Sequence, residues 1–291
     1  MNLVLEAVGF GIVTAAILAL AAVGLTLQFG VTNYANFAFG DYMTLGIYIV
    51  WALSAGMHLP LWLALVIGVV AVAAIAVLIS EFVLWPFVRR GSSPLIMLII
   101  TFGVALIVNN LILAFWGASS QSLPLNANNG TLYLGPFILT SAQLVIVLLS
   151  VVVMFAVHLV LTRTRLGKAM RAVADNADLA RVTGIPPSPI TRFTWALTGA
   201  LATLSGVALA ISTGSFTPAL GEGFLFVLFA VVILGGVGKP YGAMLAAVIV
   251  GLVTEISALV VPQYKLDVAF VVLILVLLLR PEGLIRSPGR A

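Results

Sequence analysis

What most constrains this chain is a series of uncharged apolar runs, each near the length at which a helix crosses the hydrocarbon of a bilayer. Runs at 12–28, 61–80, 95–116, 141–161, 193–211 and 242–261 approach or reach the ~20 residues needed. Hydrocarbon offers no water to backbone N–H and C=O groups, so a segment placed there must pair them internally, as a helix does. Shorter runs at about 41–55, 224–238 and 266–280 read as tilted, broken or partly protein-enclosed helices. The expected fold is all-α: a polytopic transmembrane bundle of about nine spans, within a range of eight to ten, forming one domain over 1–291. Composition points the same way, since 8% charged residues is far below the roughly 25% of soluble domains.

The first run is expected to be retained rather than cleaved as a signal, because residues 1–11 contain no Lys or Arg and carry Glu6. The absence of cysteine excludes disulfides and thiolate metal sites. His58 and His158 are far apart, so neither a metal centre nor any cofactor is expected. A net charge of +4 needs no nucleic acid to explain it, since basic residues on one face of a membrane are the usual orientation signal.

Six of the thirteen Lys and Arg residues lie in a polar island, Thr162 to Arg192. If nine crossings alternate, Arg89, Arg90, the island, Lys239, Arg280, Arg286 and Arg290 share one side, while 55–60 and 117–140 have no basic residue. The positive-inside rule then places the N-terminus outside, the C-terminus in the cytoplasm and the island in the cytoplasm as a loop over 162–192. Lys265 is the exception, outside beside Asp267, where a local ion pair or headgroup contact suffices. The outer segment 117–139, with Asn126, Asn128, Asn129-Gly130 and Gly135-Pro136, reads as turn-rich loop.

A faint repeat relates Phe37-Ala-Phe-Gly40-Asp41 to Pro218-Ala-Leu-Gly221-Glu222, each between a long apolar run and a short one. The alternating topology puts the two on opposite membrane faces, as in inverted repeats whose interrupted helices frame a transport route. The plain alternative is that an acid near a helix N-terminus is a cap favoured by the helix dipole.

Within the island, residues 167–182 are expected to form one short surface helix. Met170, Val173, Ala174, Ala177 and Ala180 share a small apolar face that another protein's groove could approach, and Lys168, Arg171, Asp175, Asp178 and Arg181 form a charged stripe. Gly184 and Pro186-Pro187 mark its end. An ordinary solvated loop helix would show the same pattern.

Arg171-Ala172, Ala174, Asn176, Ala180 and Gly184-Ile185 resemble the coupling motif of permease subunits of ABC importers, in the binding-protein-dependent branched-chain amino-acid permease family. Asn33-Tyr-Ala-Asn-Phe-Ala-Phe-Gly-Asp41, Val232-Ile-Leu-Gly-Gly-Val-Gly238 followed by Gly242-Ala243, and Leu279-Arg-Pro-Glu-Gly-Leu284 fit the same family, so the resemblance covers nearly the whole chain. At Phe39 the family often has histidine. The resemblance implies an importer in a bacterial or archaeal cytoplasmic membrane. An external binding protein delivers the ligand, two permease subunits form the path, and two ATP-binding cassette ATPases dock on the coupling helices. It implies coupling residues Gly167, Arg171, Ala172, Ala174, Asn176, Asp178, Ala180 and Gly184.

The residues agree that energy comes from elsewhere. The Gly-Lys pairs, Gly167-Lys168 and Gly238-Lys239, lack the upstream Gly and following Ser/Thr of a phosphate-cradling loop. The candidate pathway residues are Asn36, Asp41, Asn109, Asn110, Gly235 and Gly236. Asn109-Asn110 sit midway along an apolar run, where amides either bond another helix or line a polar cavity. Gly235-Gly236 read as a turn between helices in preference to a constriction. Glu81 and Glu255 are expected to serve structure, Glu255 with a partner such as Thr254 or Ser257. Trp51, Trp62, Trp85 and Trp116 read as interfacial anchors.

The expected function is ATP-driven import of leucine, isoleucine and valine. The nearest rival is the same machinery with another cargo, such as urea, a short amide or a sugar. An ion-coupled secondary transporter would need ionisable groups deep in the membrane, whereas most charges here lie at helix ends. An intramembrane enzyme would need a nucleophile, acid pair or metal ligands that the scattered acids and scarce histidines do not supply.

Overall fold

In the computed structural model, the described residues are 2–124, 130–134, 137–265, 267–280 and 283–285. Asn126, Asn128, Asn129, Gly135, Pro136, Pro281, Glu282, Arg286 and Arg290 lie outside them. The chain folds as helices α1 (Asn2–Thr32), α2 (Phe39–Trp51), α3 (Leu61–Ile79), α4 (Trp85–Arg89), α5 (Pro94–Trp116) and α6 (Ser141–Arg163). After these come α7 (Arg165–Asp175), α8 (Ala177–Val182), α9 (Pro187–Thr213), α10 (Leu220–Gly235), α11 (Pro240–Ser257) and α12 (Asp267–Leu279). A π-turn at Ala52–Gly56 extends α2, and another at Ser80–Leu84 joins α3 to α4. Among the described residues, six helical segments are long and apolar enough to cross a membrane, while α10 and α12 are shorter apolar helices. The segment expected to lie outside holds more than loop: Thr131–Leu134 and Phe137–Thr140 pair as an antiparallel hairpin.

The long helices interlock. α1 runs antiparallel to α11, with Gly11 against Leu252, Ala15 against Gly251 and Gly30 against Gly238. α9 runs antiparallel to α3 in the same manner, with Thr203 near Gly68, Gly199 against Ala73, and Arg192 bonded to Glu81. Thus the first helix of each triplet, α1–α2–α3 or α9–α10–α11, packs on the third helix of the other, and the two triplets point in opposite directions. Apolar lipid gives helices no hydrophobic reason to associate, so close backbone approach at small residues supplies the contact. α1 is the most enclosed of the long apolar helices among the described residues.

The triplets meet at their middle members. A Cβ on Gly40 would collide with the carbonyl of Gly221, and a Cβ on Gly221 with Gly40, so the first turns of α2 and α10 touch backbone to backbone. Both helices start alike, at Ala38 (φ −75°, ψ −2°) and Ala219 (φ −85°, ψ −2°), neither with a side-chain cap. The two Gly-acid sites therefore do not lie on opposite faces, as simple alternation implies. They are tips of helices entering from opposite ends and stopping together inside. At 1.5 Å per residue, α10 needs about 24 Å from that point to reach one end of the bundle.

The basic residues collect at that end. Lys239 donates to the carbonyl of Ile285 at 2.5 Å, Gly238 lies against Gly30 near the end of α1, and Arg89, Arg181 and Thr32 line one cavity. At the opposite end Glu255 bonds Thr14 (2.5 Å) and Lys265 (2.6 Å). Lys265 thus pairs with Glu255 and not with Asp267, and the partners of Glu255 come from α1 and the α11–α12 loop in place of Thr254 or Ser257. Thr254 and Ser257 bond their own helix carbonyls instead. Trp51 and Trp116 are not boundary anchors alone, since both rings pack on Tyr48. Trp62 remains 67% exposed.

Candidate functional site

The polar island folds as two helices where sequence spacing implied one. Asn176 takes an extended backbone (φ −160°, ψ 105°), and its Oδ1 accepts hydrogen bonds from the N–H groups of Asp178 (3.0 Å) and Leu179 (2.9 Å). An amide that satisfies two orphan donors is a strong N-cap, so it ends α7 and starts α8. Thr164 caps α7 through the N–H of Gly167 at 3.1 Å. A Cβ on Gly167 would lie 2.5 Å from Leu161 Cα, so glycine lets α7 fold back onto α6. Gly184 closes α8 with φ +89°, in the left-handed region that suits glycine.

The apolar face of this pair is turned inward. Met170, Val173 and Ala180 are buried with Leu20, Val157, Leu161 and Ile190, while Ala172, Ala174 and Ala177 are half-buried at the edge of that cluster. The chain's own α1, α6 and α9 thus cover the surface that spacing offered to another protein. Lys168, Arg171, Asp175, Asp178 and Arg181 stay exposed, joined by Leu179 at 61% and Val182 at 85%. A charged surface with two apolar knobs is what the pair presents outward. Beside it is a cavity of about 460 Å³ lined by Arg165, Lys168, Gly184, Ile185 and Pro186.

The second constellation forms where α2 and α10 meet. Asp41, in the first turn of α2, is buried, and its Oδ1 accepts from Asn109 Nδ2 of α5 at 3.2 Å. The same amide group donates to the carbonyl of Pro218 at 3.2 Å, just before α10. Thr44 Oγ1 accepts from the N–H of Gly221 at 3.1 Å, tying the tips together. Asp41, Asn109 and Glu222 line a cavity of about 100 Å³ with Phe37, Phe102 and Phe226. The hollow is small and opens at the bundle surface, since Glu222 is exposed and Phe102 and Phe226 are 48% and 54% exposed, so two carboxylates, an amide and three aromatic rings stand together at its rim.

The structure separates the remaining expected residues from this cluster. Asn110 is exposed, its Nδ2 bonded to the carbonyl of Leu106 on its own helix, so the two adjacent amides do different jobs. Asn36 is fully buried, its Oδ1 accepting from the N–H of Ala38, and its Nδ2 has no partner among the described residues. Gly235 packs against Gly242, and Gly236 (φ +94°) turns the chain toward α11. These glycines stand a helix length from Asp41, at the turn that their spacing implied. Thr44 and the Pro218 carbonyl were not legible as site members. The Gly-acid repeat was the signal for them, because it marks the two tips. Among the described residues no group of acids and histidines could hold a metal ion.

The chain is similar over nearly its whole length to known permeases. A family model described as "Branched-chain amino acid transport system / permease component" matches residues 7–277. The high-affinity branched-chain amino acid transport system permease protein BraD of Pseudomonas aeruginosa is 31% identical, over 96% of this chain and 94% of that protein. A probable branched-chain amino acid transport permease protein, LivH, of Methanocaldococcus jannaschii is 30% identical, over 92% of this chain and 88% of its own. PsaBC from Streptococcus pneumoniae, solved in complex with Fab, superposes with a TM-score of 0.52 at 12% identity, covering 94% of this chain and 91% of that one, and shows the fold alone. With an all-helical membrane fold and a family match from 7 to 277, the chain belongs to the branched-chain amino acid transport permease family.

Proposed function

We propose that this chain is the membrane subunit of an ATP-driven importer that moves leucine, isoleucine and valine across a bacterial or archaeal cytoplasmic membrane. The observation that carries this reading is the family match across residues 7–277. The packing supports it physically. Two half-length helices meeting tip to tip provide a confined point at which a path can be open toward one side or the other. Asp41 and Glu222 suit the ammonium group of an amino acid, and Phe37, Phe102 and Phe226 suit its aliphatic side chain.

In this mechanism two ATPase subunits grip α7 and α8 from the cytoplasm, a second permease subunit completes the path, and an external binding protein supplies cargo. ATP-driven closure of the ATPases moves α7 and α8. Their buried face, through Met170, Val173 and Ala180, transmits that motion to α1, α6 and α9. This chain performs no covalent chemistry, and the ATPases hydrolyse the nucleotide. The N-terminus is external and the C-terminus cytoplasmic, since the basic end of the bundle faces inward.

The test is reconstitution with candidate ATPase partners in vesicles. The paired reversals Arg171→Glu and Asp178→Arg should abolish ATPase docking and uptake while leaving the buried face intact. Unchanged docking and uptake would refute the coupling role, and uptake driven by an ion gradient without ATPases would refute the importer.

A further inference from the structure

We propose that the groove between α4 and α8 is a binding site for a phosphate-bearing anion, with the headgroup of an anionic phospholipid as its source. The cavity measures about 510 Å³, within the range of small-ligand sites, and it is separate from the Asp41 cluster and from the outward surface of α7. Two guanidinium groups reach it from different elements, Arg89 at the end of α4 and Arg181 on α8. Arg89 has no acidic partner among the described residues, and Arg181 has only Asp178, at 3.5 Å on a carboxylate that is 91% exposed.

A second, independent observation points to a polar ligand. Ser80 is only 6% exposed and lines the cavity, yet its hydroxyl makes no hydrogen bond among the described residues. It sits at the head of the π-turn Ser80–Leu84, where the helical ladder is rearranged, a feature common at functional sites. Glu81, the nearest acid on that turn, is held by both Arg192 Nε (2.8 Å) and Nη2 (2.6 Å), so its charge is neutralised beside the groove. Arg89, with no acidic partner among the described residues, and Arg181, held only by the exposed carboxylate of Asp178, can both reach a phosphate with charge-assisted hydrogen bonds.

The surroundings favour lipid as the source. Phe82 is 73% exposed and adjoins Val83 and Trp85, so the groove opens where an apolar helix surface gives way to the basic end of the bundle. Val31 and Val88 line it and suit the upper part of an acyl chain. Basic pockets between transmembrane helices at the charged end are where anionic headgroups bind. A headgroup held by both arginines would bridge the transmembrane α4 to α8, so lipid charge would tune how stiffly the island pair is tied to the bundle.

The experiment uses the purified full chain in detergent, incubated with phosphatidylglycerol or phosphatidylcholine and read by native mass spectrometry. Phosphatidylglycerol should be retained in preference, and Arg89→Gln with Arg181→Gln should weaken that retention roughly ten- to thirtyfold. Arg89→Lys should keep most of it, and Arg163→Gln, outside the cavity, should change nothing. Thermal unfolding of the double variant is followed alongside to separate loss of the site from loss of the fold, and Ser80→Ala gives a milder test of the same site. Protection of Arg89 from phenylglyoxal by inorganic phosphate alone, without lipid preference, would keep the site but assign it a soluble ligand. Equal retention of both lipids with no protection by phosphate, or a folded double variant that binds as the native chain does, would overturn the proposal.

Discussion

Gly221→Ala tests whether the meeting of α2 and α10 is the mechanical centre of the molecule. A Cβ at 221 would stand 2.5 Å from Thr44 Oγ1 and 2.7 Å from the carbonyl carbon of Gly40, and still closer to that residue's oxygen. Restoring ordinary contact at 3.4 Å to Thr44 Oγ1 alone requires one tip to retreat by about 0.9 Å, and clearing the closer carbonyl oxygen of Gly40 requires more, because that obstacle is backbone and cannot rotate away. Overpacking of this kind costs about 1–3 kcal/mol. The retreat also stretches the 3.1 Å bond from Gly221 N to Thr44 Oγ1 beyond useful length, a further loss of about 1 kcal/mol. Alanine returns about 1 kcal/mol through its better helix propensity, so the net expectation is a loss of about 1–3 kcal/mol. Gly223→Ala is the control, on the same helix with nothing within 4 Å of its Cβ, and should be neutral or slightly stabilising. Thermal unfolding in detergent and uptake in vesicles are the measurements. If Gly221→Ala matches Gly223→Ala in both, the tips do not bear on one another as the geometry requires.

Three other perturbations separate local roles. Asn176→Ala removes the acceptor for two α8 donors and should cost about 1 kcal/mol, seen as faster hydrogen exchange confined to 177–182. Asn109→Leu strips the buried Asp41 of its amide donor and should cost about 1–3 kcal/mol and reduce uptake, whereas Asn110→Leu should be tolerated; equal effects would remove the distinction between them. Glu255→Gln weakens the link from Thr14 to Lys265 and should lower thermal stability without changing the cargo preference, measured by competition between leucine and other solutes.

The split between what was legible and what was not follows the range of the interactions. Span positions, the end of α8 at Gly184 and the turn at Gly236 depend on residues within a few places of one another, and apolar length and φ preference marked them directly. The break at Asn176 is also local, but it was missed because apolar spacing runs evenly through it while a single amide side chain decides the cap. The buried side of α7 was misread for a different reason. Met170, Val173 and Ala180 look available until the ends of α1, α6 and α9 are placed over them, and no spacing in the island encodes that cover. The same holds for Lys265, whose partner Glu255 is nearer in space than Asp267 although farther along the chain.

The sequence by itself determined the solvent, the helices and the charged end, since these follow from hydrocarbon length, backbone satisfaction and the distribution of thirteen basic residues. Only the tertiary structure decided that Phe39 and Leu220 begin helices meeting tip to tip, and that Asn109 rather than Asn110 serves Asp41. The first outcome depends on Gly40 and Gly221 letting backbones touch across well over a hundred residues, and the second on which side of α5 packs beside α2. A glycine in sequence shows only that close approach is allowed there, and the opposing chain must arrive before it shows to what.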